Sequence, residues 1–258
     1  MPRFCSHPLR LAALSTLSAL ALTLAGTGSA QAQATIDQAK ALAGNMTPGD
    51  GAGFPVTLSQ PGSYKLTSNL YVPAGQFGFH ITASNVTLDL NGFSVIGPGT
   101  CSRDASTFVV VCSQPHMGIY GIYAEAATDG VVVRNGGVSG FASIGVYLAG
   151  TNDAAQDLRV SHNGGYGLSA ASMASGVMAS MNASSGIIGS SMVTHSVARM
   201  NGGTGINAGV IQQSMSEQNL VGISGTAVRD SAARYNKNGD IPPATKSLGG
   251  NLSGNALY

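Results

Sequence analysis

The 258-residue chain carries 12 basic and 11 acidic residues, a net charge of +1, with only 9% of its residues charged. That balance lacks the basic footprint of a nucleic-acid binder, and no run of Lys and Arg marks an anionic membrane partner. With 43% apolar residues the chain is too rich in core-forming side chains for disorder, and its 36 glycines follow no collagen period.

Residues 1–34 read as a signal peptide. Arg3 and Arg10 form the positive n-region, Leu11 to Ala25 the apolar stretch, and Ala30-Gln31-Ala32 or Ala32-Gln33-Ala34 the cleavage site. The apolar run is shorter than the about 20 residues that cross a bilayer, so no membrane insertion is expected once the signal is cleaved. Cleavage removes two basic residues and leaves 10 against 11 acids, a net charge of −1. The mature protein is expected to be exported, periplasmic or secreted. Residues 35–55 read as an N-terminal cap, in which Thr35 to Gly44 carry a short helix with Asp37 near its start and Gly44 as its stop.

From residue 56 to 240 the chain repeats. Gly followed by an aliphatic residue recurs as Gly121-Ile122, Gly145-Val146, Gly167-Leu168, Gly186-Ile187, Gly205-Ile206 and Gly222-Ile223, at separations of 24, 22, 19, 19 and 17 by subtraction. Asn163, Asn182 and Asn201 each lie four positions before their Gly, and Asn219 lies three before Gly222. The period is too short for helical-pair repeats, and Gly, Ser and Val are poor helix formers. Short strands separated by Asn- or Gly-containing turns remain.

Alignment on the Asn gives columns of constant chemistry. Val146, Leu168, Ile187, Ile206 and Ile223 are expected to point inward, followed two positions on by Leu148, Ala170, Gly189, Ala208 and Gly225. Val160, Ala179, Ala198, Ser216 and Ala233 form a small inward column, and Ser161, Ser180, Arg199, Glu217 and Arg234 a polar outward one. This is the period-2 alternation of half-buried strands. The fold class expected is all-β: a single-stranded right-handed parallel β-helix, a solenoid with a short N-terminal capping helix. Its free ends need covering, and residues 241–258, from Ile241-Pro242-Pro243 onward, break the repeat as a C-terminal cap or tail.

The segments Pro61-Gly62-Ser63-Tyr64-Lys65-Leu66, Asn69-Leu70 and Ile81 to Phe93, with later coils such as Asn201 to Ile206, resemble secreted bacterial right-handed parallel β-helix repeat proteins of the pectate-lyase-like superfamily. The resemblance covers roughly Val56 to Asn238. It implies the fold but no activity, because the superfamily includes lyases, hydrolases, epimerases and adhesins. The lyases' Trp-containing motif has no counterpart in a chain without Trp, and Thr151-Asn152-Asp153 departs from the polygalacturonase pattern. No catalytic role transfers.

Cys101 and Cys112 are expected to form a disulfide in an oxidising compartment; with His116 the only nearby His, zinc is not expected. Arg199, Glu217 and Arg234 occupy one outward column on consecutive coils, either as a surface ion-pair ladder or as a basic strip for an acidic sugar. Tyr120, Tyr123 and Tyr147, with Phe141 and Tyr166, collect in the wider coils, where they either pack turns or stack on sugar rings. No metal or cofactor is expected; Asp129, Asp153 and Asp157 in the longest turns would offer at most a weak calcium site. The function expected is a non-catalytic exported module that binds a polysaccharide or another surface partner, or serves structurally. The alternative is an enzyme of the lyase, hydrolase or epimerase type acting on uronate-containing polysaccharide.

Overall fold

A computed structural model describes residues 33–113, 118–170, 172–243 and 245–254; residues 1–32, most of the segment 1–34 read as a signal peptide, and His116 lie outside them. Among the described residues every strand pairing apart from one hairpin is parallel, and the chain winds as a parallel β-helix with three faces. Coils are numbered here by residues 56–71, 79–96, 122–139, 146–161, 168–180, 187–199, 204–217, 221–234 and 240–254. The first face runs through Val56–Leu58, Phe79–Ile81, Ile122–Ala124, Val146–Leu148, Leu168–Ala170 and Ile187–Ile188, then into coils 7 and 8. The second begins at Ala34–Ile36 and Gly62–Leu66, and the third at Leu70–Tyr71 and Ser94–Ile96. Among the described residues no helix is long and apolar enough to cross a membrane.

The expected inward column is the core of the first face. Ile122, Val146, Leu168, Ile187, Ile206 and Ile223 are fully buried and stack in register, as do Val138, Val160, Ala179, Ala198, Ser216 and Ala233 on the third face. Each buried aliphatic side chain contributes about 1.5–3 kcal/mol. One column departs from expectation. Leu148, Ala170 and Ala208 are buried, but Gly189 is exposed with φ +80°, because the chain leaves the first face after Ile188 and turns outward.

Asn and Gly keep step for a steric reason. A Cβ on Gly186 would lie 2.7 Å from the Gly205 carbonyl oxygen and 2.8 Å from Asn201 Nδ2. Gly145, Gly167, Gly205 and Gly222 meet the Asn of the following coil in the same way. The carboxamide thus fills the room the missing side chain leaves. These buried Asn residues form a continuous ladder: Asn163 Nδ2 donates to Asn182 Oδ1 (3.0 Å), Asn182 to Asn201 (2.9 Å), Asn201 to Asn219 (2.9 Å) and Asn219 to Asn236 (3.2 Å). Asp240 Oδ1 closes it by accepting from Asn236 Nδ2 at 2.7 Å. The residue before each Asn, His162, Met181, Met200, Gln218 or Tyr235, takes positive φ to turn the corner.

The corner between the second and third faces carries a parallel device built from serine. Ser196 Oγ accepts from Val177 N–H, Ser214 Oγ from Ser196 N–H and Ser231 Oγ from Ser214 N–H, at 3.1 to 3.2 Å. Asn251 Oδ1 takes the next position, accepting from Ser231 N–H at 3.1 Å.

At the start, helix α1 (Gln38–Ala43) is capped by Asp37, whose carboxylate accepts from Lys40 N–H at 2.8 Å, and Gly44 ends it with φ +73°. That side-chain acceptor satisfies one of the otherwise orphaned first-turn donors. After Pro243 the repeat resumes: Lys246–Ser247 pairs with residues 227–228, and Leu252–Gly254 with Ala232–Arg234. Backbone pairing needs no Gly-Ile marker, so this partial coil carries none.

Between coils 2 and 3 an antiparallel hairpin, Cys101–Arg103 with Val110–Cys112, is closed by the Cys101–Cys112 disulfide. Its tip is held by Asp104, whose carboxylate accepts from Ser106 Oγ (2.6 Å) and Thr107 N–H (2.7 Å), bonds that hold the carboxyl well below the usual range. The hairpin lies along the asparagine corner: Arg103 Nη2 donates to the Gln218 carbonyl (3.0 Å) and Lys237 Nζ to the Thr107 carbonyl (3.1 Å). Replacing both cysteines by serine is expected to lower stability by up to about 3 kcal/mol, the loop-closure value for a short loop. Urea unfolding of the double variant against the oxidised protein measures it.

Candidate functional site

The solvent side of the first face presents an aromatic terrace. Register places His80, Tyr123, Tyr147 and Ser169 directly above one another in coils 2 to 5. His80 and Tyr123 stack at 5.4 Å and 9°, and Tyr123 and Tyr147 at 5.5 Å and 25°. Beside them Phe77 and Tyr120 form a second column, 5.3 Å apart, with Tyr120 edge-on to Tyr147 at 5.4 Å. The spacing follows from the fold, because neighbouring coils sit about 4.8 Å apart, close to the stacking distance of rings. All five rings are half-buried.

The terrace has one polar edge. His80 Nε2 and Glu125 Oε1 lie 2.8 Å apart across coils 2 and 3. Burial, then the Glu125 carboxylate and the Tyr147 and Tyr120 phenols, push the Tyr123 phenol up, so it stays neutral across the physiological range. The terrace is a stacking surface with hydroxyls and one His–Glu pair at its rim.

Sequence reasoning singled out Tyr120, Tyr123 and Tyr147, and the fold brings these three together. It missed Phe77, His80 and Glu125. Gly78-Phe79-His80 occupies the same place in coil 2 as Gly121-Ile122-Tyr123 in coil 3, but Phe replaces the aliphatic marker and the hairpin separates the two by 43 residues, obtained as 122 − 79. Phe141 is buried, and Tyr166 is half-buried one coil beyond the terrace.

Arg199, Glu217 and Arg234 are in register, but on the third face, around the corner from the terrace. Arg234 Nε pairs with Glu217 Oε2 at 3.3 Å, and its guanidinium lies 5.8 Å from the Tyr235 ring centroid. Arg199 is exposed. Exposed pairs of this kind are worth about 0 to 1 kcal/mol.

The three turn aspartates do not converge. Asp129 Oδ1 accepts from Thr151 Oγ1 and Asn152 Nδ2, both at 2.7 Å, and the buried Asp153 accepts from the Val131 and Gly150 N–H groups. Burial pushes the Asp153 carboxyl up. Asp157 takes positive φ at a different corner. Among the described residues no group of three or more His, Cys, Asp or Glu is placed to hold a metal ion.

The fold is thus an all-β parallel solenoid whose most distinctive surface is an aromatic terrace. No protein-family profile and no curated protein matches the chain. Among solved structures, the chain is similar to the Dettilon tailspike protein at 13% identity and a TM-score of 0.42, over 78% of this chain and 50% of the tailspike chain. The chain therefore spans about half the length of that structure.

Proposed function

We propose that this β-helix is a non-catalytic module, exported and pectate-lyase-like in fold, that binds carbohydrate on the aromatic terrace of its first face. The observation that carries the reading is the in-register stack of His80, Tyr123 and Tyr147, half-exposed on a rigid sheet. Sugars present apolar C–H faces and hydroxyl edges, which amphipathic rings with polar tips complement. A rigid solenoid holds those rings without an ordering cost on binding.

The uronate-directed enzyme reading gains nothing from the geometry. Its candidate cations, Arg199 and Arg234, lie on a different face from the tyrosines, and Arg234 is engaged with Glu217. A lone carboxylate there falls short of the paired acids of glycoside hydrolysis.

The test is a panel of polysaccharides, scored both for binding by affinity electrophoresis and for product formation. The double variant Tyr123→Ala/Tyr147→Ala is expected to bind about 10-fold more weakly, from about 0.5–1.5 kcal/mol per ring, with no turnover by either protein. Turnover, or unchanged binding by the double variant, would overturn the reading.

A further inference from the structure

The aromatic stack stops abruptly, and where it stops is informative. Tyr147 is paired in register with Ser169, and Ser169 with Ile188. Three successive positions on the first face therefore read ring, hydroxymethyl, aliphatic. With coils about 4.8 Å apart, the space over Ser169 is one coil deep. Tyr147 bounds it on one side and Ile188 on the other.

The neighbouring column follows from the backbone bonds between coils. The Gly78 N–H donates to the Tyr120 carbonyl, the Gly121 N–H to that of Ile144 and the Gly145 N–H to that of Tyr166. By this register Tyr166, three residues before Ser169, holds in coil 5 the backbone place that Tyr120, three residues before Tyr123, holds in coil 3. The floor is the Ser169 side chain, a small group that both donates and accepts hydrogen bonds.

Among the described residues, the positions in register with Ile188 in coils 7 and 8 are uncharged. They are Asn207 and Ser224, and the groove at the edge of this face, about 620 Å³, is lined by Gly189, Ser190, Asn207, Thr226, Pro242 and Thr245 among others, all uncharged. An anionic ligand would find no cation there.

Resting on the carbohydrate-binding reading above, we propose that the space over Ser169 is a subsite for one pyranose ring of a neutral glycan, which continues the His80–Tyr123–Tyr147 stack as its next member. The ring lies with its C–H faces against Tyr147 and Ile188, its edge hydroxyls reach Ser169, and the rest of the chain runs over the uncharged positions toward Asn207. A uronate is disfavoured because its carboxylate would lose water without gaining a cation.

The decisive variant is Ser169→Tyr, which fills the subsite with the side chain that already occupies the two preceding positions. Binding of neutral β-glucan, β-mannan and α-rhamnan hexasaccharides and of hexagalacturonate would be measured by calorimetry on the full chain. Unfolding temperature serves as the control for folding. At least one neutral hexasaccharide is expected to bind wild type more tightly than hexagalacturonate does. Ser169→Tyr is expected to weaken it at least 10-fold with the unfolding temperature unchanged or raised, while Ser169→Ala stays within about threefold. Wild-type binding by Ser169→Tyr, alongside weak binding by Tyr123→Ala/Tyr147→Ala, would overturn the subsite and leave the terrace reading standing. Preference for hexagalacturonate would overturn the ligand class. Absence of binding to all four probes, or wild-type binding by every variant, would overturn both proposals.

Discussion

Asn201→Ala is expected to destabilise the protein by about 3–5 kcal/mol, read as a fall in the urea midpoint at constant slope. The side chain makes four hydrogen bonds in a fully buried corner. Nδ2 donates to Asn219 Oδ1 at 2.9 Å and to the Ala179 carbonyl at 3.1 Å, and Oδ1 accepts from Asn182 N–H at 3.1 Å and Asn182 Nδ2 at 2.9 Å. Alanine removes all four and strands two donors of Asn182 away from water. Each stranded group costs about 1–3 kcal/mol, and the net value of an intact bond is nearer 1 kcal/mol. The stranded groups therefore dominate. Asn207→Ala, at an exposed position on the first face, is the matched control and should stay within about 0.5 kcal/mol. Equal effects from the two substitutions would mean that the ladder has no structural role.

Gly186→Ala is expected to be of similar size although it adds only one methyl group. The new carbon would lie 2.7 Å from the Gly205 carbonyl oxygen, 2.8 Å from Asn201 Nδ2 and 3.0 Å from the Ala198 methyl group. Two of these three obstacles are immobile, a backbone carbonyl and a carboxamide fixed by four bonds. Overpacking of a well-packed interior costs about 1–3 kcal/mol, and relief here requires coils 6 and 7 to separate, so a value at or above the top of that range is expected. Thermal unfolding should report a lower midpoint, and hydrogen exchange should show the Leu168 and Ile187 amides losing protection, since these donate to the carbonyls of Gly186 and, in the next coil, Gly205 through the same close approach. An alanine variant as stable as wild type would show that the coil spacing can give.

Much of the fold was legible because the two strongest constraints act on residue type. Only glycine fits under a neighbouring carbonyl and carboxamide, and only asparagine supplies both donor and acceptor at the pitch of the coils, so Gly186 with Asn201 and Gly205 with Asn219 appear as paired markers. The serine corner was harder to see. Ser196, Ser214 and Ser231 satisfy backbone groups with one oxygen each, and in a serine-rich chain nothing distinguishes them from surface serines such as Ser191. Coil 2 was hidden for another reason: the inserted hairpin displaces it by 43 residues from its neighbour, so Phe77 and His80 could not be aligned with Tyr120 and Tyr123. Charge placement was legible only in part. Register put Arg199, Glu217 and Arg234 in one column, as the structure does, but linear spacing cannot say that this column faces away from the tyrosines.

A solenoid in which each coil touches only its neighbours behaves as a one-dimensional chain of units, free to fray from an end. The disulfide-closed hairpin departs from that rule. It leaves the chain between coils 2 and 3 yet bonds Gln218 and Lys237, partners separated from it by 115 and 130 residues. Loss of the thin final coils therefore breaks contacts anchored near the beginning. Opening of either region is coupled to the other, and a repeat array that would otherwise melt stepwise gains some of the all-or-none character of a globular domain.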